Sequence, residues 1–227
     1  MDKDLNRGMG IVMPSTTTLW YFADPMCSWC WGFSPVIENI RATYSERLNI
    51  ALMLGGLRPG TTAPLSSDLR NEILHHWHEV QRLTGQAFSF DGAMPEGFVY
   101  DTEPACRAVI TVADLESEKI FPYFKAIQSA FYVGQLDVTQ ADNLAELARQ
   151  QGIDMEQFLT HFHSEAARQK TLQHFKGTQQ AGVKGFPSLV LQQGSAFEFI
   201  SRGYHPYNDL STSIERWLMK HSEQSHA

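Results

Sequence analysis

Apolar residues along this chain follow two rhythms: short unbroken runs, and longer stretches that recur every three or four positions. The first run, Leu19-Trp20-Tyr21-Phe22-Ala23, is rich in aromatics and predicts a buried strand. It stops at Asp24-Pro25, because proline cannot continue a central ladder. After it Trp31, Phe33, Val36, Ile37, Ile40 and Tyr44 recur at mostly helical spacing. Pro35 interrupts them, so it either kinks that helix or stands where its missing N–H is harmless. A second apolar run, Asn49 to Leu54, ends in Gly55-Gly56. Strand, helix and strand within about 40 residues predict two parallel strands joined by a crossover.

Helical spacing then takes over. Leu69, Ile73, Leu74, Trp77 and Val80 predict a helix over 68–83, and the glycine-bearing stretch 85–99 reads as a loop. Thr102 and Pro104 open a helix displaying Ala105, Ala108, Val109, Val112 and Leu115. Another helix is predicted over 121–131. Thr139 with Asp142 resembles a cap before Leu144, Leu147 and Ala148, with Gly152 closing that helix. Asp154 caps Phe158, Leu159 and Phe162, and a helix over about 164–181 ends at Gly182. The run Val183 to Leu191 predicts a strand that contains Pro187. Gln192-Gln193-Gly194-Ser195 turns it into a partner strand, 197–200, and a helix over 206–219 follows. The order predicts an α/β fold with a mixed sheet. Residues 15–57 and 164–222 would form the sheet-bearing unit, and 58–163 an all-helical insertion.

Composition narrows the class. At 227 residues with 43% hydrophobic content the chain can bury a real core, and with 19% charged residues it does not resemble a disordered tail. A net charge of −7 argues against nucleic acid as a partner. No apolar stretch approaches the roughly 20 residues of a membrane helix, so no membrane association is expected. The polar stretch 1–14 lacks the apolar centre of a secretory signal, and a cytoplasmic location is expected.

Three cysteines cannot make a disulfide framework, but two can make one redox pair. In Cys27-Ser28-Trp29-Cys30 the i, i+3 spacing brings two thiols together on a first helical turn, where a small disulfide ring can close and reopen. Cys27 would stand at or near the N-cap, facing unpaired N–H groups and the positive helix end, which favours a reactive thiolate. Cys30, one turn inside, would be the more buried, resolving thiol. Half of a zinc site would need two further ligands, and no second paired spacing supplies them. Two ordinary core cysteines are the plain alternative. Pro187 opening a strand suggests a special backbone, and a cis Phe186–Pro187 bond would provide one.

Asp24-Pro25-Met26-Cys27-Ser28-Trp29-Cys30-Trp31-Gly32 after a strand, with Val183-Lys184-Gly185-Phe186-Pro187 before a later one, resembles the DsbA-type branch of the thioredoxin superfamily. More narrowly it resembles cytosolic protein-disulfide isomerases related to FrnE, and Thr102-Glu103-Pro104-Ala105-Cys106-Arg107-Ala108 is similar to part of their helical insertion. The resemblance covers nearly the whole chain. It implies a thioredoxin fold, Cys27 as nucleophile, Cys30 as resolving cysteine, and a cis-Pro187 loop facing them. Phe186, Pro187 and Trp29 would then border the substrate. Ser28-Trp29 departs from the His-bearing dipeptides of DsbA and protein disulfide isomerase, so a less oxidising couple is expected. Lowering a thiol pKa from about 8.5 to about 5.5 raises the thiolate fraction roughly thirtyfold at neutral pH. Nucleophilicity falls about twentyfold over the same range. The dipeptide therefore bears on redox direction more than on speed.

Other candidates have plainer readings. Asp24 is either a proton carrier for Cys30 or a turn cap at the strand end. Trp29 suits an exposed rim and Trp31 the core. Cys106 is either a third redox thiol or a small buried side chain. His75, His76 and His78 lack a fourth ligand, so no metal is expected. The expected activity is thiol–disulfide exchange on protein or peptide thiols and disulfides, with no cofactor beyond the cysteine pair. The sequence does not choose between the thioredoxin system and glutathione as redox partner. One rival is a glutathione-dependent enzyme of the kappa-class or hydroxychromene-carboxylate isomerase type, which typically carries serine in place of Cys27. The other is a non-catalytic, partner-binding thioredoxin-like module.

Overall fold

The computed structural model describes residues 17–222, so the stretch 1–14 read above for a secretory signal lies outside it. Four strands form one mixed sheet: β1 (Thr18–Ala23), β2 (Asn49–Leu54), β3 (Ser188–Gln193) and β4 (Ala196–Arg202). Their order is β2-β1-β3-β4, with β1 parallel to β2 and antiparallel to β3. The strand β1 is apolar on both faces because both are covered. Leu19, Tyr21 and Ala23 point into the main core, whereas Phe22 joins Val183 and Val190 in a smaller cluster edged by Trp20, Met53 and Phe199.

The segment after β1 folds as two helices, α1 (Ser28–Gly32) and α2 (Ser34–Tyr44). Pro35 sits in the first turn of α2, where no intrahelical donor is lost, so the break falls at Phe33 and the proline kinks nothing. Helices α3 (Ser67–Thr84), α4 (Glu103–Leu115), α5 (Ile120–Tyr132), α6 (Ala141–Gln150), α7 (Met155–Phe162) and α8 (Glu165–Gln180) follow, and α9 (Tyr207–Ser222) closes the described chain. Ser66, Asp154 and Ser164 cap α3, α7 and α8 by accepting from the third backbone N–H beyond them.

Two local expectations are corrected. Thr139 does not cap α6. Its backbone N–H and hydroxyl both donate to the Asp137 carboxylate, an Asx turn that outcompetes capping, and Gln140 takes the N-cap place. The run from Val183 is not strand throughout, since 183–187 form a loop and β3 begins at Ser188, after the proline.

One continuous apolar core joins the sheet to helices α3–α7. Trp31 pins this joint: its indole N–H donates to the Ala87 carbonyl at 2.8 Å, and its ring stacks on Tyr132 of α5. Gly32 permits the fit, because a Cβ there would lie 2.7 Å from Val80 of α3. At the opposite edge α8 fixes the end of β2. The Leu54 N–H donates to His174 Nδ1 at 3.3 Å, and Thr178 donates to the Leu54 carbonyl at 3.0 Å.

Candidate functional site

The site forms where β1 ends. Asp24 accepts the Cys27 N–H on its backbone carbonyl at 3.1 Å, a turn that brings the chain round into α1. Cys27 is the N-cap residue, with extended backbone (φ −93°, ψ 117°), and its carbonyl accepts from Trp31 N–H at 3.1 Å. Its thiol thus lies at the N-terminal end of a single-turn helix, among donors that have no intrahelical acceptor. Cys27 keeps 5% of its surface, while Cys30 is fully enclosed. Burial pushes the Cys30 thiol well above its ordinary range. The adjoining Cys27 thiol and the Asp24 carboxyl push the same way, and a backbone contact with Asp24 partly offsets them. The two residues are therefore unequal: Cys27 keeps a small strip of surface, and the Cys30 thiol, fully enclosed, holds its proton tightly.

The loop before β3 comes from far along the sequence to meet them. The Phe186–Pro187 bond is cis, and the Cys27 thiol donates to the Phe186 carbonyl at 3.7 Å. The Pro187 carbonyl accepts from Gly203 N–H at 2.8 Å, which anchors the loop to the end of β4. Phe186 is half-buried, with its ring lying over Gly55, where a Cβ would come within 1.8 Å of it. Trp29 is half-buried and sits 6.2 Å, ring to ring, from Tyr204, so these two form a rim beside the cysteines. Of the predicted residues, Cys27, Cys30, Phe186, Pro187, Trp29 and Asp24 all gather here.

Asp24 does more than end a strand. It is fully buried, accepting from Met26 N–H at 2.8 Å on one oxygen and from Leu57 N–H at 2.6 Å on the other. The second oxygen also accepts the Cys106 thiol at 3.5 Å. Burial raises its pKa, opposed by these donors and by Thr102. Such a carboxyl takes up and holds a proton more readily than an exposed one. The hydrogen bonds to Met26 and Leu57 are those of the turn reading. Cys106 is fully enclosed, with its thiol pushed up by burial and by Asp24.

Three participants were not anticipated. Gly55 leaves room for Phe186. Tyr100 donates to the Met26 carbonyl just ahead of Cys27. Tyr204 completes the rim. Gly55-Gly56 at a strand end was the one visible signal, since paired glycines there mark a close approach of other chain. Among the described residues, no three His, Cys, Asp or Glu side chains are grouped to hold a metal ion, and no helix is long and apolar enough to cross a membrane.

Comparison with known proteins extends the picture. The presumed protein disulfide isomerase from Nitrosomonas europaea is 51% identical and superimposes with a TM-score of 0.87, covering 91% of this chain and 99% of its own. The cytosolic disulfide reductase DsbM from Pseudomonas aeruginosa is 26% identical with a TM-score of 0.73, over 89% and 98%, and it has also been solved with GSH. Among curated proteins, the ClpXP adapter protein SpxH of Halalkalibacterium halodurans is 21% identical over 88% of this chain and 67% of its own length. That of Bacillus cereus is 26% identical over 87% and 68%. DsbA structures at 10–12% identity share the fold alone. The fold is one used by disulfide oxidoreductases. A family model described as thioredoxin matches residues 20–210, which establishes that the chain belongs to the thioredoxin family, with the fold that DsbA-type oxidoreductases share.

Proposed function

We propose that this protein is a thiol–disulfide oxidoreductase whose Cys27 and Cys30 exchange a disulfide with protein or peptide substrates. The observation that carries the reading is the placement of Cys27: at the mouth of α1, less enclosed than Cys30, and against the carbonyl of the Phe186–Pro187 loop. Thiolate Cys27 attacks a substrate disulfide, forming a mixed disulfide and releasing one substrate thiolate. Cys30 gives its proton to Asp24 and attacks the Cys27 sulfur. The Cys27–Cys30 bond forms, the bond to substrate breaks, and the substrate leaves reduced. Run backwards, the same steps oxidise or reshuffle thiols.

Reduction or isomerisation in a cytoplasmic, reducing compartment is the net direction of this reading. Support comes from the absence of a cationic residue between the cysteines and from the similarity to a cytosolic disulfide reductase. Glutathione is the favoured reductant, since that relative was solved with it. A transferase of the kappa class is disfavoured by the intact cysteine pair.

A second reading has its own observation: the curated relatives are adapter proteins. On that reading the chain holds a protein partner without redox turnover. Insulin reduction under a glutathione-regenerating couple separates the two. The exchange reading expects turnover that vanishes in Cys27→Ser. The adapter reading expects no turnover, and partner capture that survives the same substitution.

A further inference from the structure

Tyr21 stands in the middle of β1, with its backbone held between Leu52 of β2 and Leu189 of β3. Its side chain is fully enclosed. The ring packs 5.6 Å from Phe33, one turn beyond Cys30, and meets Phe124 of α5 edge-on at 6.2 Å. The phenol hydroxyl is buried and makes no hydrogen bond in this arrangement. A phenylalanine would fill the same space without burying a lone polar atom, so packing alone does not call for the oxygen. Burial first, then the nearby Cys30 and Cys27 thiols, hold this phenol well above its ordinary titration range.

We propose that Tyr21 is a positioning residue for the resolving step, its hydroxyl donating a hydrogen bond to the Cys30 sulfur when that sulfur becomes a thiolate. The inference rests on the thiol–disulfide reading. In the reduced protein the neutral thiol asks little of the phenol. When Cys30 gives its proton to Asp24, a full negative charge appears in an enclosed site, where a donor counts most. The phenol keeps its own proton throughout, because burial and the neighbouring thiols hold it protonated. The Cys30 thiolate then attacks Cys27, two electrons pass to the departing substrate sulfur, and the negative charge leaves with it. Tyr21 returns to its unpaired state.

The titratable groups around Cys30 are Cys27, Asp24 and Tyr21, and Tyr100, Tyr132 and Cys106 lie beyond them, near Cys27 or Asp24. Among these Tyr21 lies on the strand floor and Asp24 at the strand end, so donor and proton acceptor are different groups.

The test is quenched-flow mixing of the reduced full-length protein with a peptide disulfide across a range of pH. It separates mixed-disulfide formation at Cys27 from resolution by Cys30. In Tyr21→Phe the first step is expected to be unchanged, while resolution at neutral pH slows by about tenfold, the effect of one hydrogen bond to a charged group. Its pH profile moves to higher pH. Replacing Tyr21 with the more acidic 3-fluorotyrosine moves the profile to lower pH, and this decides the matter alone if Tyr21→Phe does not fold. Tyr123→Phe, which removes a hydroxyl bound to the Leu144 carbonyl in the helical block, leaves the profile in place. Coincident profiles for the wild type and the Tyr21 variants, or an equal shift in Tyr123→Phe, overturn the proposal. If the wild type forms no mixed disulfide, the thiol–disulfide reading itself has failed.

Discussion

Cys27 stands at the start of α1 and Cys106 at the end of the first turn of α4, and both are free thiols with little or no exposed surface. Their surroundings differ in what can approach them. Cys27 is the N-cap itself, retains a strip of surface, and faces a loop from 159 residues away. Cys106 lies one turn inside α4, is closed off, and spends its proton on Asp24. Two thiols in the first turns of helices can thus differ widely in access, and access is one of the conditions a reactive thiol needs. Asp24 links the two regions, since its second oxygen serves Cys106 while its backbone turns the chain into Cys27.

Removing the outer thiol strains this comparison most. Cys27→Ser is expected to lower exchange by at least about a thousandfold, because the nucleophile is gone, with little change in a denaturant midpoint. A stopped insulin assay with intact near-ultraviolet circular dichroism checks both halves.

Gly55→Ala comes next. Its methyl group would collide with the Phe186 ring at 1.8 Å, and the ring has a route outward because Phe186 is half-buried. We expect a stability loss of about 1–3 kcal/mol from overpacking and a larger loss of exchange as the Phe186 carbonyl leaves Cys27. Urea unfolding alongside the insulin assay separates these effects.

Asp24→Asn sharpens the link between the two regions. One amide NH2 would face the N–H of Leu57 or Met26, at a cost of about 1–3 kcal/mol. A carboxyl held above its ordinary value binds its proton more tightly folded than unfolded. Its contribution to stability is therefore greatest at acid pH and falls as pH rises from about 3.9 through the raised folded value. Unfolding midpoints measured from acid to neutral pH should show that decline in the wild type and lose it in Asp24→Asn.

Cys106→Ala should matter least. A weak S–H bond and a small volume disappear, costing about 1 kcal/mol, while exchange stays within about threefold. An alkylation time course should find Cys27 modified first and Cys106 only on unfolding.

Much of this was legible in the sequence because it is local. The run 19–23, the cysteine spacing and the Asp-Pro stop are neighbours along the chain, and their consequences follow from strand and helix periodicity. Pro187 was legible for a different reason, as a residue that does not belong in a central strand. What escaped notice depends on contacts across the fold. Leu57 and Cys106 meet Asp24 over separations of 33 and 82 residues, and Tyr100 reaches Met26 over 74. No short-range pattern encodes those distances. Thr139 was misread because Asp137, two residues earlier, offered its backbone a nearer acceptor. Tyr21 looked like any aromatic of a buried strand until its hydroxyl was found without a partner.

The most direct measurement equilibrates the protein in graded glutathione buffers and maps, by mass spectrometry after acid quenching, which sulfurs have joined. The account predicts one reversible transition, a Cys27–Cys30 bond with Cys106 still a thiol. Its midpoint should lie nearer thioredoxin's value of about −270 mV than DsbA's of about −120 mV. A protein in which these two sulfurs never join, or join only when unfolded, would contradict it.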